Sequence, residues 1–314
     1  MKTGELLKEY YMGSRRACAR IMSLVENETR EGIELLKEIY PKRKNSFRIG
    51  ITGPPGVGKS TTVNALIDVL KSMDYRLGII AVDPSSPFTG GAFLGDRLRM
   101  QNSYNHEDVF IRSVASRGSL GGLSSSTENI AEIMEGFGMD IILIETVGVG
   151  QSELDIMEIT DSVAVLLVPE SGDSIQAMKS GIMEIGDVFA VNKSDREGAD
   201  RAVRHIKTIL EMKKTGERVP PVVKISAKNS DNIEALAEEI FSHRDYMEEH
   251  DILSSKRKMR KLREVKGLLR DMFIKSIDKH LKDVENSEES PYETAQKIFR
   301  KINKKEMEDI WQVR

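Results

Sequence analysis

A single cysteine, Cys18, occurs among the 314 residues. One thiol forms no internal disulfide, so nothing covalent staples the chain and a reducing compartment suits it. Cys18 stands among Ala17, Ala19 and Ile21, the surroundings of a small buried residue rather than of a nucleophile. Long apolar runs are missing as well. None approaches the roughly 20 residues that cross a bilayer. The N-terminus, MKTGELLKEYYMGSRR, carries acids where a secretory leader needs an apolar core. A cytoplasmic location is the expectation. Charge of one sign is also scarce: the formal net charge is −3 and the pI about 6.1, which gives no global reason to expect a nucleic-acid partner. The five histidines (His106, His205, His243, His250 and His280) are scattered, and delivery of a soft metal calls for Cys/His clusters. No internal repeat or low-complexity tract is present.

What the chain does have begins at Phe47–Thr62, FRIGITGPPGVGKSTT. A mostly apolar run breaks into a loop, Gly53, Pro54, Pro55, Gly56, Val57, Gly58, followed by Lys59, Ser60 and Thr61. Two glycines five apart and then Lys-Ser form the phosphate-binding pattern. Glycines let backbone N–H groups close around a polyphosphate, and the following helix offers its positive end. Lys59 is placed to reach the β and γ phosphates, and the Ser60 hydroxyl to ligate Mg²⁺.

From Ser46 to about Asp245 the pattern strand, loop, helix repeats. Candidate strands are Phe47–Thr52, Leu77–Val82, Val109–Val114, Ile141–Ile144, Val163–Val168, Val188–Val191 and Val222–Ile225. Continuous apolar runs of this length fit strands buried on both faces, which predicts an α/β fold with a doubly wound, mostly parallel sheet. Residues 1–45 read as a helical extension, a pair of helices with the second over Thr29–Ile39. Residues 46–245 read as the nucleotide domain and 246–314 as a helical C-terminal arm. In that arm Lys256–Lys266 holds seven Lys or Arg in eleven residues. Met259, Leu262, Val265, Leu268 and Leu269, continued by Met272, Phe273 and Ile277, make a helical apolar stripe.

Ligands in such sheets sit at the carboxyl ends of the strands, so the residues after each strand carry the chemistry. Asp83 ends the second strand, where an acid holds Mg²⁺ directly or through water. Asp96, Arg97 and Arg99 follow in a Pro/Gly-rich loop that could order on a triphosphate. Arg112 and Arg117 flank another Gly/Ser-rich loop, and either could stabilise transition-state charge. The fourth strand ends in Glu145, Thr146, Gly148, Gly150 and Gln151, the shape of an acidic-x-x-Gly γ-phosphate sensor with Glu145 near Mg²⁺ and Gln151 in the place of a water-orienting glutamine. The sixth ends in Asn192, Lys193, Ser194, Asp195. The Asp195 carboxylate can accept from guanine N1–H and the 2-amino group together, whereas adenine leaves it unpaired. Ser226, Ala227 and Lys228 match a supporting loop beside the base. GTP with Mg²⁺ is the expected ligand.

The segments GPPGVGKST, VDPSSPFTGGAFLGDRLRM, FIRSVASRGSLGGLS, IETVGVGQSE and NKSD strongly resemble those of the MeaB/ArgK-type methylmalonyl-CoA mutase-associated GTPases, P-loop G proteins of the SIMIBI class. The resemblance covers about residues 15–245. It implies a homodimeric GTPase that chaperones an adenosylcobalamin-dependent acyl-CoA mutase, gating cofactor loading and protecting the enzyme from inactivation. It assigns the phosphates to Gly53–Thr61, the guanine to Asn192, Lys193, Asp195 and Ser226–Lys228, and Mg²⁺ to Ser60 and Asp83. Glu145 and Asp96 fall to the hydrolytic shell. Pro169–Gly181 corresponds to an additional switch loop, with Lys179 as its phosphate-side contact. A nickel metallochaperone and a kinase or transport ATPase are the competing readings.

Overall fold

The apolar runs become strands of one sheet. The computed structural model describes residues 3–83, 106–115, 125–148, 152–169, 181–212, 218–281 and 290–300. Within them lie β1 (Phe47–Thr52), β2 (Leu77–Asp83), β3 (Val109–Ala115), β4 (Ile141–Glu145), β5 (Ser162–Leu167), β6 (Val188–Val191) and β7 (Val222–Lys224). They pair in parallel in the order β3-β2-β4-β1-β5-β6-β7. The register sets Glu145 at the end of β4 opposite Ile51 of β1 and Ala81 of β2, so the carboxyl ends of these three neighbouring strands lie together.

Side chains alternate across the sheet with period two. Ile141 and Leu143 join the apolar layer under α4 (Lys59–Ser72) and α9 (Ile233–Glu249). Ile142 and Ile144 join the layer on the other face. That layer is covered by α5 (Ser125–Gly136), α6 (Ser152–Ile159), α7 (Ile182–Ile185) and α8 (Ala199–Met212). Arg48, the second residue of β1, interrupts the second layer. It is fully buried, with Nε 2.8 Å from Glu135 Oε1, and its own N–H donates to Asp161 Oδ2 at 2.9 Å. Arg43 takes the other oxygen of Glu135 at 3.0 Å. A buried cation persists only when paired in this way.

The N-terminal extension holds three helices rather than the expected pair: α1 (Thr3–Tyr11), α2 (Arg15–Glu26) and α3 (Arg30–Ile39). Gly13, at φ 85°, turns the chain after α1. Ser14 and Thr29 then cap the next two helices, accepting from Ala17 N and Gly32 N. These helices pack on α5 through Tyr10, Cys18, Ile21, Leu35 and Ile39, and the Tyr10 hydroxyl donates to Ile133 O at 2.6 Å. They also grip β3. Arg15 donates to the carbonyls of His106, Glu107 and Val109, while Arg112 donates to Glu26 and Ser23.

The chain divides into two compact units, residues 1–254 and 255–314. The N-terminal helices share the first with the sheet. The second holds most of α10 (Ile252–Leu281) and α11 over 291–300. Ser290 and Glu293 start α11 as a reciprocal capping box, each side chain accepting from the other's N–H.

Candidate functional site

β1 feeds the glycine-rich loop directly. Gly53 lies at φ 140°, and a Cβ there would stand 2.3 Å from Leu166 O, so the chain passes β5 with room only for hydrogen. The loop closes at Gly58, φ 95°, which caps α4 without any side-chain hydrogen bond. Unlike α2 and α3, α4 therefore keeps its first-turn N–H groups for an incoming anion. Lys59 is buried, and its ammonium donates to Gly53 O at 2.8 Å and Pro54 O at 3.1 Å. Pro55, Gly56 and Thr61 are exposed around it, Val57 is buried in the core beneath, and Ser60 is half-buried.

The sensor glycine meets that lysine. Gly148, at φ 89°, would put a Cβ 2.2 Å from Lys59 Nζ and 3.0 Å from Gly53 O. Its N–H thus belongs to the same small space as the ammonium. Ahead of it, Ser60 Oγ donates to Glu145 Oε1 at 2.6 Å. Asp83 is buried at the end of neighbouring β2. A hydroxyl and two carboxylates at adjoining strand ends form a hard oxygen donor set, which fits Mg²⁺.

On the base side, Asn192 spans two loops. Its Nδ2 donates to Val57 O at 2.7 Å, and its Oδ1 accepts from Lys193 N at 2.8 Å and Ala227 N at 3.0 Å. Lys193 adopts φ 58° and lays its ammonium on Gly56 O at 2.7 Å. Asp195 is exposed, with Oδ1 accepting from the buried Ser226 hydroxyl at 2.7 Å. That hydrogen bond, with its own backbone N–H, holds the Asp195 carboxyl below the usual carboxylate range and keeps it charged. Lys228 is exposed beside it. The phosphate loop, Asn192–Asp195 and Ser226–Lys228 are therefore one connected cradle.

Several expected site residues move off this site or out of view. Arg112 lies within β3, tied to Glu26 and Ser23. Asp96, Gln151 and Lys179 lie outside the described residues, as do Arg97, Arg99, Arg117, Gly150 and the interior of Pro169–Gly181. One group was missed from the sequence. Thr146 Oγ1 donates to Thr52 Oγ1 at 3.0 Å, and Thr52 Oγ1 to Glu153 O at 3.5 Å. This buried chain joins the ends of β4 and β1 to the first turn of α6. Burial pushes the Glu153 carboxyl above its ordinary range, and Lys59 pulls it part of the way back. The only available signal was the acid closing IETVGVGQSE.

Comparison with known proteins matches residues 18–282 to the family model described as methylmalonyl Co-A mutase-associated GTPase MeaB. A Pyrococcus horikoshii protein with the provisional name GTPase PH0274 is 41% identical over 309 residues, covering 95% of this chain and 98% of that one. A Caenorhabditis briggsae protein, methylmalonic aciduria type A homolog, mitochondrial, is 32% identical over 88% of this chain and 72% of its own. Among solved structures, one titled LAO/AO transport system kinase superposes with TM-score 0.71 at 25% identity, covering 96% and 97% of the two chains.

Proposed function

The chain belongs to the family of methylmalonyl-CoA mutase-associated GTPases, and on that premise we propose that it hydrolyses GTP as the chaperone of an adenosylcobalamin-dependent acyl-CoA mutase, gating cofactor loading and protecting the enzyme. The observation that carries the nucleotide half is the Asn192 bridge. It sets the Asp195–Ser226 pair, which suits guanine, at a fixed offset from the phosphate loop.

In this reading the Lys59 ammonium, now on two loop carbonyls, transfers to the β and γ phosphates. The N–H of Gly148 senses the γ-phosphate. Asp195 accepts from the guanine edge, and the backbone of Ser226–Lys228 supports the base. Ser60, Asp83 and Glu145 would hold Mg²⁺, which supplies charge neutralisation to the phosphates when bound. Asp96, Gln151 and Lys179 complete the proposed hydrolytic shell. Pro54 stands where related ATPases carry a lysine that reaches across a dimer. Lys59 is therefore the loop's own cation, and acceleration is left to the switch segments or the mutase. The exposed α10 stripe is proposed as a homodimer contact, and the cytoplasm as the site of action.

Neither a nickel carrier nor a transport kinase draws on a specific feature of the site. Among the described residues no three His, Cys, Asp or Glu gather as a metal site. Two measurements test the proposal. Titration calorimetry is expected to give tight GDP and GTP binding and none for ATP, and equal ATP binding would overturn the guanine reading. Pull-down from native cytosol with GTP and then GDP is expected to recover an acyl-CoA mutase, and recovery of a hydrogenase or urease precursor instead would overturn the partner.

A further inference from the structure

Two hydroxyls are buried where the phosphate loop and the sensor loop leave the sheet. Thr52 is the last residue of β1 and Thr146 the first beyond β4, and both are at most 1% exposed. Thr146 Oγ1 donates to Thr52 Oγ1 at 3.0 Å, and Thr52 Oγ1 donates onward to Glu153 O at 3.5 Å. Period two puts Gly50 on the same face of β1 as Thr52. A Cβ on Gly50 would stand 2.5 Å from Ile156 Cγ1, so glycine there lets α6 approach until its first turn meets Thr52. Packing alone does not call for hydroxyls at this point. Two valines of the same shape would fill the space and leave no polar group to satisfy.

The two threonines are anchored unequally. Thr52 lies within the sheet, in register with Val165 of β5. Thr146 is past the end of β4, held by its N–H on Ile51 O at 3.1 Å and by its hydroxyl on Thr52. Two residues further on, Gly148 stands against the Lys59 ammonium. We propose that Thr146 is a positioning residue whose hydroxyl, seated on Thr52, sets the distance of the sensor glycine from Lys59. The proposal rests on the reading that the site takes a guanine nucleotide with its γ-phosphate at Gly148. A diphosphate engages the phosphate loop, whose root stays in the sheet when the hydroxyl is removed. A triphosphate also engages Gly148, so the loss falls on the triphosphate.

The test is titration calorimetry on the full-length protein with GDP and with GTPγS, a slowly hydrolysed triphosphate. Thr146→Val removes the donor and is expected to weaken GTPγS by roughly three- to tenfold, the scale of one buried hydrogen bond. GDP is expected to stay within twofold of wild type. Thr146→Ser keeps the hydroxyl and is expected to restore the wild-type affinity for GTPγS relative to GDP. Should Thr146→Val fail to fold, Thr52→Val combined with Thr146→Val, which leaves neither hydroxyl without its mate, takes its place with the same expected split. A valine variant whose affinity for GTPγS relative to GDP is unchanged or raised would overturn the proposal, as would a serine variant that behaves like valine. A wild-type protein that binds no GDP would fail the nucleotide reading itself, whereas GDP-binding wild type with an unmoved valine variant fails only the positioning role.

Discussion

Asp195 offers its carboxylate to solvent with one oxygen already on Ser226, so the other face carries the choice of base. Hydrogen bonds to a charged acceptor are worth about 1.5–3 kcal/mol each, and guanine would make two. Asp195→Asn should therefore weaken GDP by about a hundredfold or more. It should also improve xanthine nucleotides, whose 2-oxygen accepts from the new amide; paired titrations with GDP and XDP check this. Gly148 leaves a side chain no free space beside the Lys59 ammonium. Gly148→Ala forces a Cβ into the Lys59 ammonium at φ 89°. Strain of about 1–3 kcal/mol plus a displaced lysine should lower single-turnover GTP hydrolysis by more than about tenfold. A rate within twofold of wild type would place the γ-phosphate elsewhere.

At the scale of elements, the apolar core of each strand was legible and its polar end was not. β1 and β6 run as their apolar patterns predict, whereas β2 and β4 continue one residue further, through Asp83 and Glu145. These polar residues still pair in register, but periodicity cannot see a strand continue into a site. β5 starts one residue earlier, at Ser162, whose hydroxyl meets His243 Nδ1 of α9 at 2.9 Å. The phosphate loop and Asn192–Asp195 could be read because their chemistry is local. Arg48 could not, because its partner Glu135 lies 87 residues away. Glu153 escaped for the same reason: what makes it unusual is its burial beside the Thr52–Thr146 pair, whose first member lies far back in the chain.

The helical cap carries a pH prediction of its own. Burial raises the pKa of both Tyr10 and Cys18 above their ordinary values of 10.0 and 9.0, so the folded state holds their protons where the unfolded state releases them. Stability is full below about pH 9 and falls as pH rises past it. Each unit costs about 1.4 kcal/mol per group. Urea unfolding should lose roughly 2–3 kcal/mol between pH 8 and 10.5; a flat profile over that range would mean that the cap opens before the core.

At the scale of the whole molecule, the second unit carries an apolar stripe on its long helix. Along α10, Leu262, Val265, Leu269 and Phe273 are all more than 40% exposed at spacings of three and four residues, a stripe that one helix cannot bury alone. Sedimentation velocity should find a dimer. Leu269→Glu with Phe273→Glu should yield a monomer of half that mass that still binds GDP, since these positions lie in a different unit from the cradle.

The grip of Arg15 on β3 has a colloidal meaning as well. Among the described residues β3 is the outermost strand on its side, and an uncovered strand edge is a template for adding another chain. Arg15 occupies the carbonyls of His106, Glu107 and Val109 at the start of that edge. Arg15→Ala should therefore show itself less as a lower melting temperature than as concentration-dependent light scattering, with the first helices acting as a selvedge that stops the sheet from being knitted onward.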